Sequence, residues 1–311
     1  MVQGVRTLMP NIVVVGSVNM DLVVKTPRLP RLGETVMGED MLTVGGGKGA
    51  NQAMACARLG ADVFFIASIG RDLFGERLLG TLEKEGIDCS GVKESDDTAT
   101  GTALITVGGE GDNTIVVSPG ANRLLCSTDL RSHPDMFAKS RTALFQMEIP
   151  TDTIEEGLIL SKEHGLMTIL DPAPFKVIPD FLLQYVDIVT PNSIELLQMA
   201  GTSDREAAAA RLLEKGIGKV ILTAGKEGAV LFDRDLGMQT IPAPSVTAID
   251  STGSGDAFTG GLAMALSENR DIVSSIKLGN CCGALACTVI GAQTSLPFRK
   301  DAEELYRRTY R

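Results

Sequence analysis

Short β-branched runs alternate along this chain with amphipathic segments that close on glycine, and that alternation limits the folds open to it more than any other feature. Asn11–Val15 is such a run, followed by Gly16. Lys48–Leu59 carries alanine and methionine at helical spacing and stops at Gly60. Val63–Ile66 reads as the next strand, and Asp72–Glu85 as a helix stopped by Gly86. Strands at Ala143–Met147, Met167–Leu170, Val186–Thr190 and Val220–Thr223 follow, separated by helices at about Thr151–Glu163, Ser193–Ala200 and Asp204–Lys215. Glycine can take the left-handed conformation that ends a helix, so each strand–helix unit is punctuated in the sequence itself. The fold expected is α/β, a mostly parallel sheet covered by helices on both faces, over a single domain spanning 1–311.

Two segments interrupt the alternation. Leu22–Val44 has no helical period and carries Pro27, Pro30, Gly33 and Gly38. Thr100–Ser118 reads as a hairpin, Ala103–Val107 and Thr114–Val117 joined by Gly108-Gly109-Glu110-Gly111. Paired, they would make a small β-sheet lid from about 22–45 and 98–119. Read singly, they are two surface excursions.

Composition excludes several classes. The net charge of −10 without a Lys/Arg cluster argues against nucleic acid and anionic membrane surfaces as partners. No run of 18 apolar residues is present, so no membrane-spanning helix is expected. Cys56, Cys89, Cys126, Cys281, Cys282 and Cys287 form no C-x-x-C pair, and with only His133 and His164 beside them a His/Cys metal site has little to be built from. Met1–Pro10 is too short and too little apolar for a secretory signal, which makes a cytoplasmic location the expectation.

The chemistry concentrates in a few places. Asp250-Ser251-Thr252-Gly253-Ser254-Gly255-Asp256 leads into the apolar segment Ala257–Leu266. Small residues at a helix start aim backbone N–H groups at one point, and the helix dipole adds positive potential, so this is a seat for an anion. Asp256 at its mouth is either an N-cap or a base. A second cluster, Gly45-Gly46-Gly47-Lys48-Gly49-Ala50-Asn51-Gln52-Ala53, opens the earlier helix. It is not a nucleotide P-loop, because Leu42 and Gly49 stand where that motif needs glycine and Ser/Thr. Close backbone approach to a neutral polyol, with Lys48 and Asn51 donating, is the alternative. Asn19 and Asp21, two apart after the first strand, share a face in extended chain and could grip adjacent hydroxyls or simply shape a turn. Glu148 ends a strand at the place where such sheets bind ligands. Asn192 with Glu195 is either a capping box or a pair facing phosphate-bound Mg²⁺. Thr223-Ala224-Gly225-Lys226-Glu227-Gly228 is a glycine turn that could pass a nucleotide close to the backbone. The glycine pattern of a dinucleotide-dependent dehydrogenase is missing after the first strand, where Gly16-Ser17-Val18-Asn19 stands.

In this order the segments resemble the PfkB family of carbohydrate and nucleoside kinases, from Val13 to about Pro297, and within it the members that act on ribose. G-G-K-G-A-N-Q-A matches the first family signature and Asp250–Asp256 the second. The resemblance implies ATP-dependent phosphorylation of D-ribose at its 5-hydroxyl. Asp256 is then the base, and Gly253, Ser254 and Gly255 are the anion hole. It places the sugar on Asn19, Met20, Asp21, Gly47, Lys48, Asn51 and Glu148. Asn192, Thr223, Ala224, Gly225, Lys226, Glu227, Gly228 and Asn280 fall on the nucleotide side. Mg²⁺ is implied near Asn192 and Glu195, the latter acting indirectly, and K⁺ near Asp250, Thr252, Ala286, Val289, Gly291 and Ser295. A homodimer through the lid is also implied. Ser254 stands where family members most often have alanine, and Asn280 where many have histidine. Sister kinases for fructose or adenosine, or a non-catalytic sugar sensor, are the competing readings.

Overall fold

The computed structural model describes residues 11–110 and 112–310; the readings of Met1–Pro10, Gly111 and Arg311 lie outside the described residues. Strand Asn11–Val15 shows why the sheet forms. Ile12 and Val14 enter one hydrophobic cluster, Val13 and Val15 another on the opposite face, and all four are wholly buried. A strand covered on both sides must be apolar at every position, because side chains alternate between faces.

Nine strands make one sheet in the order Gly237–Ile241, Ala229–Asp233, Lys219–Thr223, Ile188–Val189, Met167–Asp171, Thr142–Gln146, Asn11–Val15, Asp62–Gly70, Asp88–Ser95. Lys219–Thr223, Ala229–Asp233 and Gly237–Ile241 pair antiparallel in turn, and every other neighbouring pair is parallel. Asn11–Val15 has Asp62–Gly70 on one side and Thr142–Gln146 on the other, so the order reverses at this strand. Loops leaving the strand ends diverge at such a point and open a crevice. The strand expected over Val186–Thr190 contracts to Ile188–Val189, with Pro191 lacking a donor to extend it. Asp88–Ser95 was not legible as a strand because its half-exposed, polar-rich sequence has no apolar run.

Both interruptions pair into one separate sheet, ordered Leu42–Gly46, Asn19–Lys25, Gly101–Val107, Asn113–Ser118. Its first strand starts at Asn19, three residues before the expected boundary, because Asn19 and Met20 already pair with Gly46 and Gly45 on one side and with Gly101 and Thr102 on the other.

Small residues set the distance between the helices over the crevice. Helix Ser254–Ser267 crosses helix Lys48–Arg58, and a Cβ on Gly260 would come within 2.5 Å of the Ala55 Cβ. On the other flank a Cβ on Gly261 would lie 2.8 Å from the Cys282 Sγ in helix Ile272–Ala286. Interiors this dense do not admit an extra methylene without shifting an element.

Candidate active site

Glycine lets the helix start at Lys48 sit directly on the loop after the first strand. Gly47 has φ +86°, and a Cβ there would be 2.7 Å from the Asn19 backbone nitrogen. A Cβ on Gly49 would be 2.5 Å from that of Ser17. This contact fixes Glu148, whose Oε2 accepts from the Ser17 hydroxyl at 2.5 Å and from the Lys48 backbone N–H at 3.1 Å. Asn19 and Asp21 do share a face of their strand. Asn122 donates to Asn19 Oδ1 at 2.8 Å and clamps both backbone polar groups of Val18, which sets the Asn19 amide. Asp21 packs against Gly46, where a Cβ would lie 2.3 Å from its carboxylate. Met20, expected with them, turns its side chain the other way and is wholly buried in the core.

Carboxylates dominate the electrostatics. Burial first, then Glu148 and Asp256, push Asp21 up to about 7. Burial works against the Lys48 ammonium, but Asp171, Asp256, Glu148 and Glu195 outweigh it and hold its pKa above the ordinary lysine range. The Asp256 carboxylate is buried and accepts from Asn51 Nδ2 at 2.8 Å and Gln52 Nε2 at 3.1 Å. Its side chain therefore does not act as the N-cap of its helix; Gly253, with φ +76°, holds that position. Among the described residues the Asn51 Oδ1 is buried without a partner, as an acceptor awaiting a ligand hydroxyl would be.

Beyond Asp256 a cavity of about 950 Å³ runs out to Thr223, Gly225 and Gly228, and is lined also by Lys48, Asn192 and Asn280. Thr223–Gly228 is the turn of an antiparallel hairpin, with Gly225 and Gly228 both at positive φ. A Cβ on Gly255 would meet nothing within 4 Å, so the first turn of the Ser254 helix faces open space. The N–H groups of that turn lack intrahelical acceptors. Asn192 and Glu195 form the full capping box: Asn192 Oδ1 accepts from the N–H groups of Ile194 and Glu195, and Glu195 Oε2 accepts from that of Asn192, each at 2.9 Å. Asn280 donates to the Ile241 carbonyl at 3.0 Å. The loop before the helix is tied to the segment after Ala286: Asp250 accepts from Thr252 on one oxygen and from the Gly291 N–H on the other at 2.8 Å. Partial burial would raise Asp250, but these hydrogen bonds win and hold it below the usual carboxylate range. Thr252, Ala286, Val289, Gly291 and Ser295 flank this tie in the chain. Among the described residues no group of three or more His, Cys, Asp or Glu side chains could hold a metal ion.

Four further polar residues surround the site. Asp171 stands 3.7 Å from the Lys48 ammonium and accepts from Gln52 Nε2 at 2.9 Å, while Gln146 donates to Gln52 Oε1 at 2.8 Å. Asn122 is the fourth. Asp171 and Gln146 end parallel strands as Glu148 follows one, so the strand-end rule that singled out Glu148 could have found both. Gln52 sits inside the first glycine cluster. Nothing in the sequence marks Asn122.

The profile described as pfkB family carbohydrate kinase matches residues 9–299. The chain belongs to this family. As a PfkB carbohydrate kinase it is 36% identical over 296 residues to a ribokinase of Haemophilus influenzae, covering 94% of this chain and 96% of the relative. It is 36% identical over 297 residues to a ribokinase of Bacillus subtilis, covering 96% and 99%. Its fold matches that of an Arabidopsis thaliana ribokinase complexed with ribose and ATP, with a TM-score of 0.89 at 29% identity over 96% of this chain and 99% of that one.

Proposed function

We propose that this kinase transfers the γ-phosphate of ATP to the 5-hydroxyl of D-ribose, with Asp256 as the base. The observation that carries the reading is the position of Asp256. Its carboxylate lies between the polyol-type donors and acceptors at Asn51 and Lys48 and the open first turn of its own helix at the cavity. Ribose would be gripped by Asn19, Asp21, Gly47, Lys48, Asn51 and Glu148. The names of the two relatives and the ribose–ATP complex of the Arabidopsis enzyme support that sugar.

Phosphoryl transfer needs in-line positioning and neutralised charge more than covalent work by the protein. Asp256 orients the hydroxyl and takes its proton as the bond to phosphorus forms. The N–H groups at Gly253, Ser254 and Gly255 receive the charge on the transferring group. Thr223–Gly228 and Asn280 flank the rest of the nucleotide. The donor set fits Mg²⁺ held chiefly by nucleotide phosphates and water near Asn192 and Glu195, since both side chains are engaged in the capping box. A monovalent cation, K⁺, would be held near the tie made by Asp250, by oxygens of Asp250, Thr252, Ala286, Val289, Gly291 and Ser295, and would supply positive charge beside the loop. Together the two cations would neutralise phosphate charge and stiffen the anion hole. The small sheet acts as a lid over the sugar side. Its exposed Leu104, Ile115, Val116 and Val117 suit a homodimer contact.

The test is ADP release on a panel of ribose, deoxyribose, fructose and adenosine with MgATP, in K⁺ and in Na⁺. Ribose should be turned over fastest, and faster in K⁺. Preference for another member of the panel would overturn the substrate, and binding of ribose without turnover would overturn the reaction.

A further inference from the structure

Side chains from three elements, Gln52, Gln146 and Asp171, form a network that ends on the Asp256 carboxylate. Gln52 Nε2 lies between Asp256 Oδ1 at 3.1 Å and Asp171 Oδ2 at 2.9 Å, so one amide serves two carboxylates. Gln146 Nε2 donates to Gln52 Oε1 at 2.8 Å, which leaves only the NH₂ end of Gln52 to face the acids. Gln52 and Gln146 are wholly buried, and Asp171 and Asp256 nearly so. A buried amide flipped end for end would set its oxygen against two carboxylates, so the Gln146 contact selects one orientation. Asp171 also faces the Lys48 ammonium at 3.7 Å. The same Asp171 oxygen thus faces both the Lys48 ammonium and the Gln52 amide.

We propose that Gln52, with its amide oriented by Gln146 and anchored by Asp171, is a positioning residue that fixes the rotation of the Asp256 carboxylate, leaving Oδ2 beside Asn51 and aimed at the substrate hydroxyl. The inference rests on the reading of Asp256 as the base. The Asp171 end of the network sits among charges from several elements: Lys48 on its helix, Asp256 on the crossing helix, and Glu195 at the start of a third. Burial first, with Asp256 and Glu195 adding, raises Asp171 above its ordinary range against the pull of Lys48. A protonated Asp171 still accepts from Gln52 but releases its hold on the ammonium.

Gln52→Met keeps the length and removes all three side-chain hydrogen bonds. Small misplacements of a reacting group can cost up to about 100-fold in rate, and kcat is expected to fall about 10- to 100-fold with KM for ribose within about threefold. The decisive comparison repeats Gln52→Met in an Asp256→Ala background, where it should cost less than about twofold because the group it positions is gone. Asp171→Asn and Gln146→Met should each lower kcat by a smaller factor than Gln52→Met. A crystal structure of the Gln52→Met protein should show the Asp256 carboxylate rotated away from its place in the wild type. An equal loss in both backgrounds would make Gln52 merely structural and overturn the proposal, as would full activity of Gln52→Met with an unmoved carboxylate. Full activity of Asp256→Ala alone would instead overturn the base assignment on which it rests.

Discussion

Asn51 and Asp256 lie 205 residues apart in the chain, yet the Asn51 side-chain amide donates to the Asp256 carboxylate at 2.8 Å. The two glycine clusters of the sequence therefore belong to one site. Each comes from a helix start, and the crossing of those helices makes the contact. Removing the carboxylate in Asp256→Ala should lower kcat by about 10²- to 10⁴-fold while KM for ribose changes little, as general-base catalysis predicts. Steady-state kinetics with both substrates varied will decide it, and a kcat within a few-fold of wild type rules the base role out.

The buried Asp21 makes stability, and on the proposed reading sugar binding, depend on pH. Its folded pKa of about 7 lies above the ordinary 3.8, so between those values the folded chain binds a proton that the unfolded chain does not. Its contribution to stability is thus complete below the lower value and is lost as pH rises through the upper one. Asp21→Asn should therefore raise Tm more at about pH 8 than at about pH 5, read by thermal denaturation. On the proposed reading binding works in the other direction, because an ionised Asp21 would accept from sugar hydroxyls. KM for ribose should rise in the wild type as pH falls below about 7, and should stay high and flat in Asp21→Asn.

Gly260 holds the two helices at their crossing distance. Replacing it with valine forces side-chain atoms into a space where a Cβ alone would lie 2.5 Å from the Ala55 Cβ. Overpacking of this kind costs about 1–3 kcal/mol and moves the Ser254 helix off the Lys48 helix. Gly260→Val should lose activity out of proportion to stability, since the Asn51–Asp256 bond spans that crossing. Activity that tracks the folded fraction in a urea titration would contradict this.

Asp250 ties the loop before the anion seat to the Gly291 backbone. In Asp250→Ala that tie is lost, and the rate ratio between K⁺ and Na⁺ should fall towards one, with kcat in K⁺ reduced by about tenfold or more. Rates measured across a K⁺ titration test it, and an unchanged activation curve would remove Asp250 from the proposed cation site.

Much of the fold could be read from local pattern. Ile12–Val15, apolar throughout, could only be buried on both faces, and Lys48–Arg58 and Thr151–Glu163 carry helical spacing with glycine stops. The strands Asp88–Ser95 and Gly237–Ile241 escaped because edge strands are half solvated and need no apolar run. Within the site, Asn19, Asp21, Lys48, Asn51, Glu148 and Asp256 stood out through glycine clusters, strand ends and family resemblance. Asn122 did not, since its role is to fill the hydrogen bonds of Val18 and Asn19 from a 3₁₀ turn more than a hundred residues away.

By itself the sequence determined the alternating architecture, the two glycine-rich helix starts and the residue types that a sugar kinase needs, because turn chemistry and side-chain periodicity act over a few residues. Only the tertiary structure decided what each carboxylate touches. Whether Asp256 caps its helix or faces a substrate depends on Asn51 and Gln52 arriving from the other helix, and whether Asp171 matters depends on Lys48 and Gln52 meeting it across the sheet. Those contacts join segments more than a hundred residues apart. They are set by how closely Gly49, Gly260 and Gly261 let the backbone approach, and no local pattern records that distance.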